Sequence, residues 1–333
     1  MTRSTQLEAD PIGVVGLGRV GSHAARQLRT HSAPLVVFDT DRSQRQQLLG
    51  ALRPEDRIGE PNGGPARTVI LATPAGQHIR AAAALMRAGV SVVSTSDDPT
   101  DVRGLLSLNS EAIELGVTIV AGAGLSPGYS CLHVVHAAQD FAEVQELSIW
   151  TTGTGGPACA RRHHRSLQRP GNALIEGRWV EKRGGSGRDL AWFPGELGAR
   201  DCYRGALAEP ILLHRVVPEA TRISSRTSAT RRDALTRTLP MLRRPHLDGG
   251  PGGIRVEVRG LNSAGGYQTE VRGAMVFPSV AAGTVAAVAA IDIHNGTPPR
   301  GAMGLAELAD DPAIMLAELH RRGISAARFG GAI

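Results

Sequence analysis

Three glycines carry the clearest chemistry in the chain. In Gly16-Leu17-Gly18-Arg19-Val20-Gly21 the first glycine permits a tight turn, the second lets the backbone approach a pyrophosphate, and the third lets a helix pack closely on a strand. A helix opening at Arg19 and Val20 would aim its free amino-terminal N–H groups at the phosphates. About twenty residues on, Asp39 follows the apolar run Leu35 to Phe38 and is spaced to accept hydrogen bonds from an adenosine ribose. Its charge repels a 2′-phosphate, which tilts the expected cofactor to NAD, whereas Arg42, beyond Thr40, could accommodate NADP. A glycine-rich turn that binds nothing is the alternative, because the chain holds 41 glycines.

A second cluster lies in Gly153 to Arg165, inside a long polar stretch, Gly153 to Gly187, that reads as a functional loop. A neutral imidazole can exchange the proton that accompanies a hydride, and His163 and His164 are the candidates; neighbours point to different faces of any regular element, so one of them acts. Arg161 or Arg165 could hold a substrate carboxylate in a bidentate pair. A solvated basic surface is the competing explanation. Asp97 is a further candidate acid or base at a strand end, although Asp97 and Asp98 also suit helix capping, Asp98 the better of the two. Cys159 lacks the local signature of a nucleophile and reads as a packed thiol. His133 and His136 fall on one helix face without a third ligand, so no metal site is expected.

These residues need elements to hold them. Ile12 to Val15 is a short apolar run followed by Val20, Ala24 and Leu28 at helical spacing, which reads as strand, turn and helix. The alternation continues. Thr68 to Ala72 predicts a strand ending at Thr73-Pro74, and Ile79, Ala83 and Met86 trace a helix closing at Gly89. Val92 and Val93 predict the next strand, and one helix is expected from Pro99 to Gly116, capped by Asp98. Val117 to Ala121 predicts another strand, with Ser126-Pro127 capping and starting a helix. Strands alternating with helices imply a doubly wound parallel sheet, a Rossmann-type α/β fold, with ligands beyond the carboxyl ends of its strands. That rule gathers Ala72, Thr73 and Pro74, then Thr95 within Ser94 to Asp97, and Gly128 at the end of Gly122 to Gly128, around the cofactor and reaction centre. Gly128 is the expected substrate contact there. From Val144 the pattern turns to strands: Leu147 to Thr151, then Ile254 to Val258 and Thr269 to Val276 joined as a hairpin. Val280 to Ile291, with Gly283 inside it, reads as a tightly packed Ala-rich helix.

The 333 residues suffice for two domains with a sizeable core, and aromatics at 3% leave that core to Ala, Val, Leu and Ile. A formal charge of +6 is scattered and nearly all arginine, Lys182 being the only lysine, so nucleic acid is not an expected partner and anionic small molecules are. Met1 to Asp10 is polar and mixed in charge, without the apolar core of an export signal, and no apolar stretch is long enough to span a bilayer. Cys131, Cys159 and Cys202 are odd in number and widely spaced, which argues for a reducing compartment, the cytoplasm, and against a disulfide framework.

The sequence resembles the saccharopine dehydrogenase-like family of NAD(P)-binding Rossmann oxidoreductases. The likeness rests on the glycine fingerprint, Ala72-Thr73-Pro74, Gly89 to Ser94 running into Asp97-Asp98, and Gly116-Val117 leading to Gly122-Ala123-Gly124-Leu125-Ser126-Pro127-Gly128. It extends to Gly304 to Leu308 and Leu316 to Leu319 before Arg322-Gly323-Ile324, with the middle of the chain matching only loosely. The resemblance implies a dinucleotide-binding Rossmann domain (1–143), an inserted α+β mixed-sheet domain for substrate (144–277), and a carboxyl-terminal helical segment returning to the first domain (278–333). It also implies hydride transfer at a carbon–nitrogen bond of an amino acid or imine, with a small carboxylated substrate. Reduction of an aldehyde or ketone, and a non-catalytic dinucleotide sensor or scaffold, are the alternatives. Exposed helices of such a domain could build a homodimer.

Overall fold

The computed structural model describes residues 10–60, 64–242, 244–296 and 298–329, so the polar opening up to residue 9 lies outside them. The chain forms two compact units, residues 1–124 with 279–308, and residues 125–278 with 309–333.

The first unit begins with β1 (Ile12–Val15), α1 (Arg19–Leu28), β2 (Leu35–Phe38), α2 (Arg42–Leu49) and β3 (Arg57–Ile58). It continues through β4 (Thr68–Leu71), α3 (His78–Arg87), β5 (Ser91–Ser94), α4 (Pro99–Leu106), α5 (Asn109–Glu114) and β6 (Thr118–Ala121). Apart from the short, exposed edge strand β3, the strands are four-residue runs rich in Val, Ile and Leu and largely buried, as a helix-covered parallel sheet requires. Every neighbouring pair is parallel, in the order β3-β2-β1-β4-β5-β6. That order reverses direction between β1 and β4, and a crevice opens at their carboxyl ends. The Gly16 turn leaves β1 there, and Ala72-Thr73-Pro74 leaves β4.

The second unit opens with α6 (Tyr129–Ala138), β7 (Glu143–Thr152), α7 (Pro157–Ser166), and the hairpin β8 (Gly171–Ile175) and β9 (Arg178–Lys182). Then come β10 (Asp189–Phe193), β11 (Gly198–Tyr203), α8 (Glu209–Val216), β12 (Arg222–Ser228), α9 (Arg231–Leu235), β13 (Gly252–Leu261) and β14 (Tyr267–Val276). The sheet order is β10-β11-β12-β7-β13-β14, with β12 and β7 parallel and the other pairs antiparallel. Alternation along the strands divides its faces. Leu147, Ile149, Ile223, Val256 and Val258 are fully buried on one face, against which α6 and α8 pack. Glu146, Ser148 and Glu257 point the other way.

The chain then returns. Helix α10 (Pro278–Asn295) is apolar nearly all round, and at Gly283 it meets α1 so closely that a Cβ would lie 2.7 Å from the Val20 carbonyl oxygen and from the Ala24 nitrogen. Strand β15 (Gly301–Gly304) then pairs in parallel with β6, extending the first sheet, and α11 (Leu305–Leu308) follows. Helix α12 (Pro312–Arg321) and β16 (Ala327–Arg328), which pairs with β14, belong to the second unit.

Four expectations change. The polar stretch from Gly153 to Gly187 is not a loop: it contains α7, opened by Gly156-Pro157, and the β8–β9 hairpin. The helix expected from Pro99 to Gly116 breaks at Ser107-Leu108, where the Ser107 hydroxyl donates back to the Gly104 carbonyl at 2.7 Å. Ser126 does not cap a helix; its hydroxyl donates to Glu209 at 2.5 Å, and α6 begins at Tyr129 behind Gly128. Residues 125–143 and 309–329 pack with the second unit rather than the first, because α6 and α12 bury their apolar faces there.

Candidate functional site

The glycine turn is built as its spacing requires. Gly16 sits at φ +92°, and a Cβ there would stand 2.7 Å from the Ala72 carbonyl. At Gly21 a Cβ would fall 1.7 Å from the Gly16 oxygen, so only glycine lets α1 close on the turn. Gly18 differs: its φ is −60°, it is exposed, and a Cβ there would meet no atom within 4 Å. The space beside Gly18 is open, and the first intrahelical bond, from Ser22 N–H to the Gly18 carbonyl, leaves the preceding helix amides facing it. Arg19 is exposed and Val20 half-buried at this helix end.

Asp39, half-buried after β2, closes the cradle. Its carboxylate accepts the Leu17 N–H at 2.6 Å through Oδ2 and the Asp41 N–H at 2.8 Å through Oδ1. A carboxylate offers about four acceptor positions, so two remain for ribose hydroxyls. Thr40 and Arg42 are exposed beside it, and Arg42 is the first residue of α2, which Asp41 caps through the Ser43 N–H at 2.8 Å. The residues present thus fit a dinucleotide: an open glycine, a helix amino terminus and a carboxylate with spare acceptors converge on one crevice.

On the other side of the crevice a buried polar network fixes the turn after β4. His78 is fully buried; Nε2 lies 2.9 Å from the Thr73 carbonyl and Nδ1 2.9 Å from the Ser94 hydroxyl. The carbonyl only accepts, so Nε2 carries the proton and Ser94 donates to Nδ1. Burial lowers the His78 pKa and keeps the ring neutral. Asp101, also buried, accepts from the Ser96 hydroxyl and the Gly76 N–H, both at 2.7 Å. Ala72 and Thr73 are half-buried, Pro74 is exposed, and the Thr95 hydroxyl donates to the Leu71 carbonyl at 3.1 Å. Asp98 caps α4 through the Thr100 N–H at 2.8 Å, while Asp97 stands half-buried at the end of β5. Sequence reasoning gathered Ser94 here but missed His78 and Asp101, because an isolated His or Asp near a helix start carries no motif.

The second unit separates its two histidines. His164 is buried, and its Nε2 donates to the Leu239 carbonyl at 2.9 Å. His163 is half-buried, with Nε2 3.7 Å from the Cys159 sulfur and Nδ1 3.5 Å from the Thr227 hydroxyl. Arg161 and Arg165 do not join it. One helical turn apart, they share an exposed face of α7 about half a turn from His163, so the expected pairing of a carboxylate clamp with the imidazole is not made. Gly128 is buried at φ +122° ahead of α6.

Neither a family model nor a curated protein matches the chain. Solved structures do. Apo saccharopine dehydrogenase (L-Glu forming) from Saccharomyces cerevisiae superposes with a TM-score of 0.69 at 13% identity, over 97% of this chain and 100% of that one. The two share a fold. A variant of meso-DAPDH from Clostridium tetani E88, solved with DAP, gives a TM-score of 0.50 at 12% identity, over 93% and 95% of the chains. In this chain the parallel sheet carries the glycine crevice, and the mixed sheet lies in the second unit, which begins at residue 125.

Proposed function

We propose that the protein is an NAD(P)-dependent oxidoreductase that moves a hydride to or from a small carboxylated substrate at the carbon–nitrogen bond of an amino acid or imine. The observation that carries the proposal is the open space beside Gly18, framed by Gly16, Gly21 and Asp39 at the reversal point of the parallel sheet. Gly16, Gly18 and the amides of Arg19, Val20 and Gly21 would hold the pyrophosphate, and Asp39 the ribose. When bound, the nicotinamide ring supplies or accepts the hydride. Ala72, Thr73 and Pro74, fixed by His78 and Asp101, would form the wall beside it, with Thr95 at the end of β5.

The accompanying proton falls to His163 rather than His164, whose ring is already committed to the Leu239 carbonyl. Asp97 is the second candidate. The carbon–nitrogen assignment is supported by the family resemblance and by the L-Glu-forming description of the saccharopine dehydrogenase that shares this fold.

Titration of the purified protein with NADH and NADPH, read by nicotinamide fluorescence and thermal shift with Gly18→Asp as control, tests the cofactor. Binding of neither would sink the proposal. Where binding is found, turnover of keto acids that depends on added amine supports an imine substrate, and turnover without amine assigns a simple carbonyl.

A further inference from the structure

The polar face of the second unit's sheet holds a cavity of about 210 Å³. Strand register explains its composition. Arg222, Glu146 and Arg259 form one row across β12, β7 and β13; Ser224, Ser148 and Glu257 form the next; Arg226, Trp150 and Arg255 form a third. Leu174 of β8 lines it from the side, and Arg204 and Asp189 add further charge to its wall. Four guanidinium groups, of Arg204, Arg222, Arg226 and Arg259, line the cavity with two carboxylates, of Glu146 and Asp189, an excess of two positive charges.

The carboxylates are distributed unevenly. Glu257 is buried and takes Arg259 at 2.8 Å, with Arg255 also on it. Asp189 accepts the Trp150 indole N–H at 3.0 Å and stands 3.7 Å from Arg226. Among the described residues no carboxylate forms an ion pair with Arg204 or Arg222. Arg226 is mostly buried, donating to the Gly187 carbonyl and the Ser224 hydroxyl, both at 3.3 Å, and burial together with the nearby Arg204 charge works against its ionised form. Like charges held together in a half-buried cavity favour a multivalent anion, because guanidinium forks bind planar or tetrahedral oxyanions in pairs of charge-assisted hydrogen bonds.

We propose that this cavity is a binding site for a small dianion bearing carboxylate or phosphate oxygens, with Arg204, Arg222 and Arg226 as its principal ligands. The space exceeds by far the roughly 10–15 Å³ one water needs, and falls below the roughly 300 Å³ at which pockets for larger ligands begin, so a compact metabolite fits. The site lies wholly within the second unit, and its test does not depend on the cofactor reading.

Calorimetric titration of the full chain with inorganic phosphate and with succinate, at constant ionic strength against chloride and acetate controls, measures it. Saturable binding of phosphate alone assigns a phosphate ligand, and of succinate alone a dicarboxylate. Arg222→Gln, at an exposed position, and Arg204→Gln should each weaken that binding about tenfold or more, as loss of a charge-assisted bond implies. Circular dichroism checks that both variants fold, and NADH titration should be unchanged in both. If neither dianion binds the wild-type protein at millimolar concentration, or if both variants bind as tightly as wild type, the proposal fails.

Discussion

Gly18 and Gly21 lie three residues apart in one motif, and the structure assigns them opposite consequences on substitution. Gly18 has a φ of −60°, which alanine adopts freely, and a new Cβ would touch nothing within 4 Å. Gly18→Ala should therefore leave the nucleotide-free protein as stable as wild type, or roughly 0.4–1 kcal/mol more stable through a less flexible unfolded chain. The methyl group would nevertheless occupy the space through which the backbone reaches the pyrophosphate. Losing one or two charge-assisted hydrogen bonds of about 1.5–3 kcal/mol each weakens NADH binding about tenfold to a hundredfold or beyond. At Gly21 the Cβ would sit 1.7 Å from the Gly16 oxygen, a distance no rotamer relieves, so α1 must move off β1. Overpacking of this kind costs about 1–3 kcal/mol or more. Gly21→Ala should thus lower the thermal midpoint by several degrees before any nucleotide is added, at roughly 2–4 °C per kcal/mol for a unit of this size. Thermal unfolding without ligand, paired with NADH fluorescence titration, separates the two effects. Wild-type NADH affinity in Gly18→Ala, or wild-type melting in Gly21→Ala, would refute the geometry argued for the turn.

Asp39→Asn keeps an oxygen for the Leu17 N–H while removing the charge that opposes a 2′-phosphate. The ratio of NADH to NADPH affinity should move towards NADPH by about fivefold or more, from a Coulomb term of about 1 kcal/mol or more, and an unchanged ratio rejects Asp39 as the selector. Burial holds the His133 pKa down to about 3 in the folded state, whereas the unfolded chain binds its proton near the ordinary value. The unfolded state therefore gains a proton first on acidification, and stability falls by about 1.4 kcal/mol per pH unit from near 6.5 towards 3. His133→Phe, which keeps the edge-on ring contact with Tyr129, should reduce that slope in urea unfolding at neutral and mildly acidic pH; His78 adds a loss of the same sign. His164→Ala should cost about 1–2 kcal/mol with turnover largely kept, while His163→Gln should lower turnover about a hundredfold or more at nearly unchanged stability. The reverse pattern would move the proton to His164.

The first sheet was largely legible because its signals are local. Short β-branched runs, glycine punctuation and the acidic residue after β2 all lie within one βαβ unit, where sequence distance and spatial distance agree. Asp98 was readable as a cap for the same reason. Strand β15 was not: Gly301-Ala302-Met303-Gly304 has little strand character, and its pairing with β6 spans most of the chain. Helix α7 hid behind its composition, since Arg161, Arg162, His163, His164 and Arg165 show no apolar periodicity, and only Gly156-Pro157 marks its start. The network of His78, Ser94, Ser96 and Asp101 joins two successive helices across a strand end, a proximity that no motif encodes. The arginine cavity was equally hidden, since its residues come from strands far apart in sequence and become neighbours only through the register of the mixed sheet.

Pairing of β15 with β6 also sets an order of assembly. The Thr118 hydroxyl bonds the Pro299 carbonyl across 181 residues, so the outer flank of β6 stays unpaired while the ribosome makes everything between. An open apolar strand edge is a template for mispairing, and Thr118-Ile119-Val120-Ala121 has the composition that invites it. Most of the second unit leaves the ribosome during that interval and can fold first, although its chain begins later. A gene cut after residue 278 would therefore release a first unit lacking both α10 and its last strand. A permuted gene placing residues 279–308 ahead of β1 would instead allow the parallel sheet to complete itself before the mixed sheet is translated.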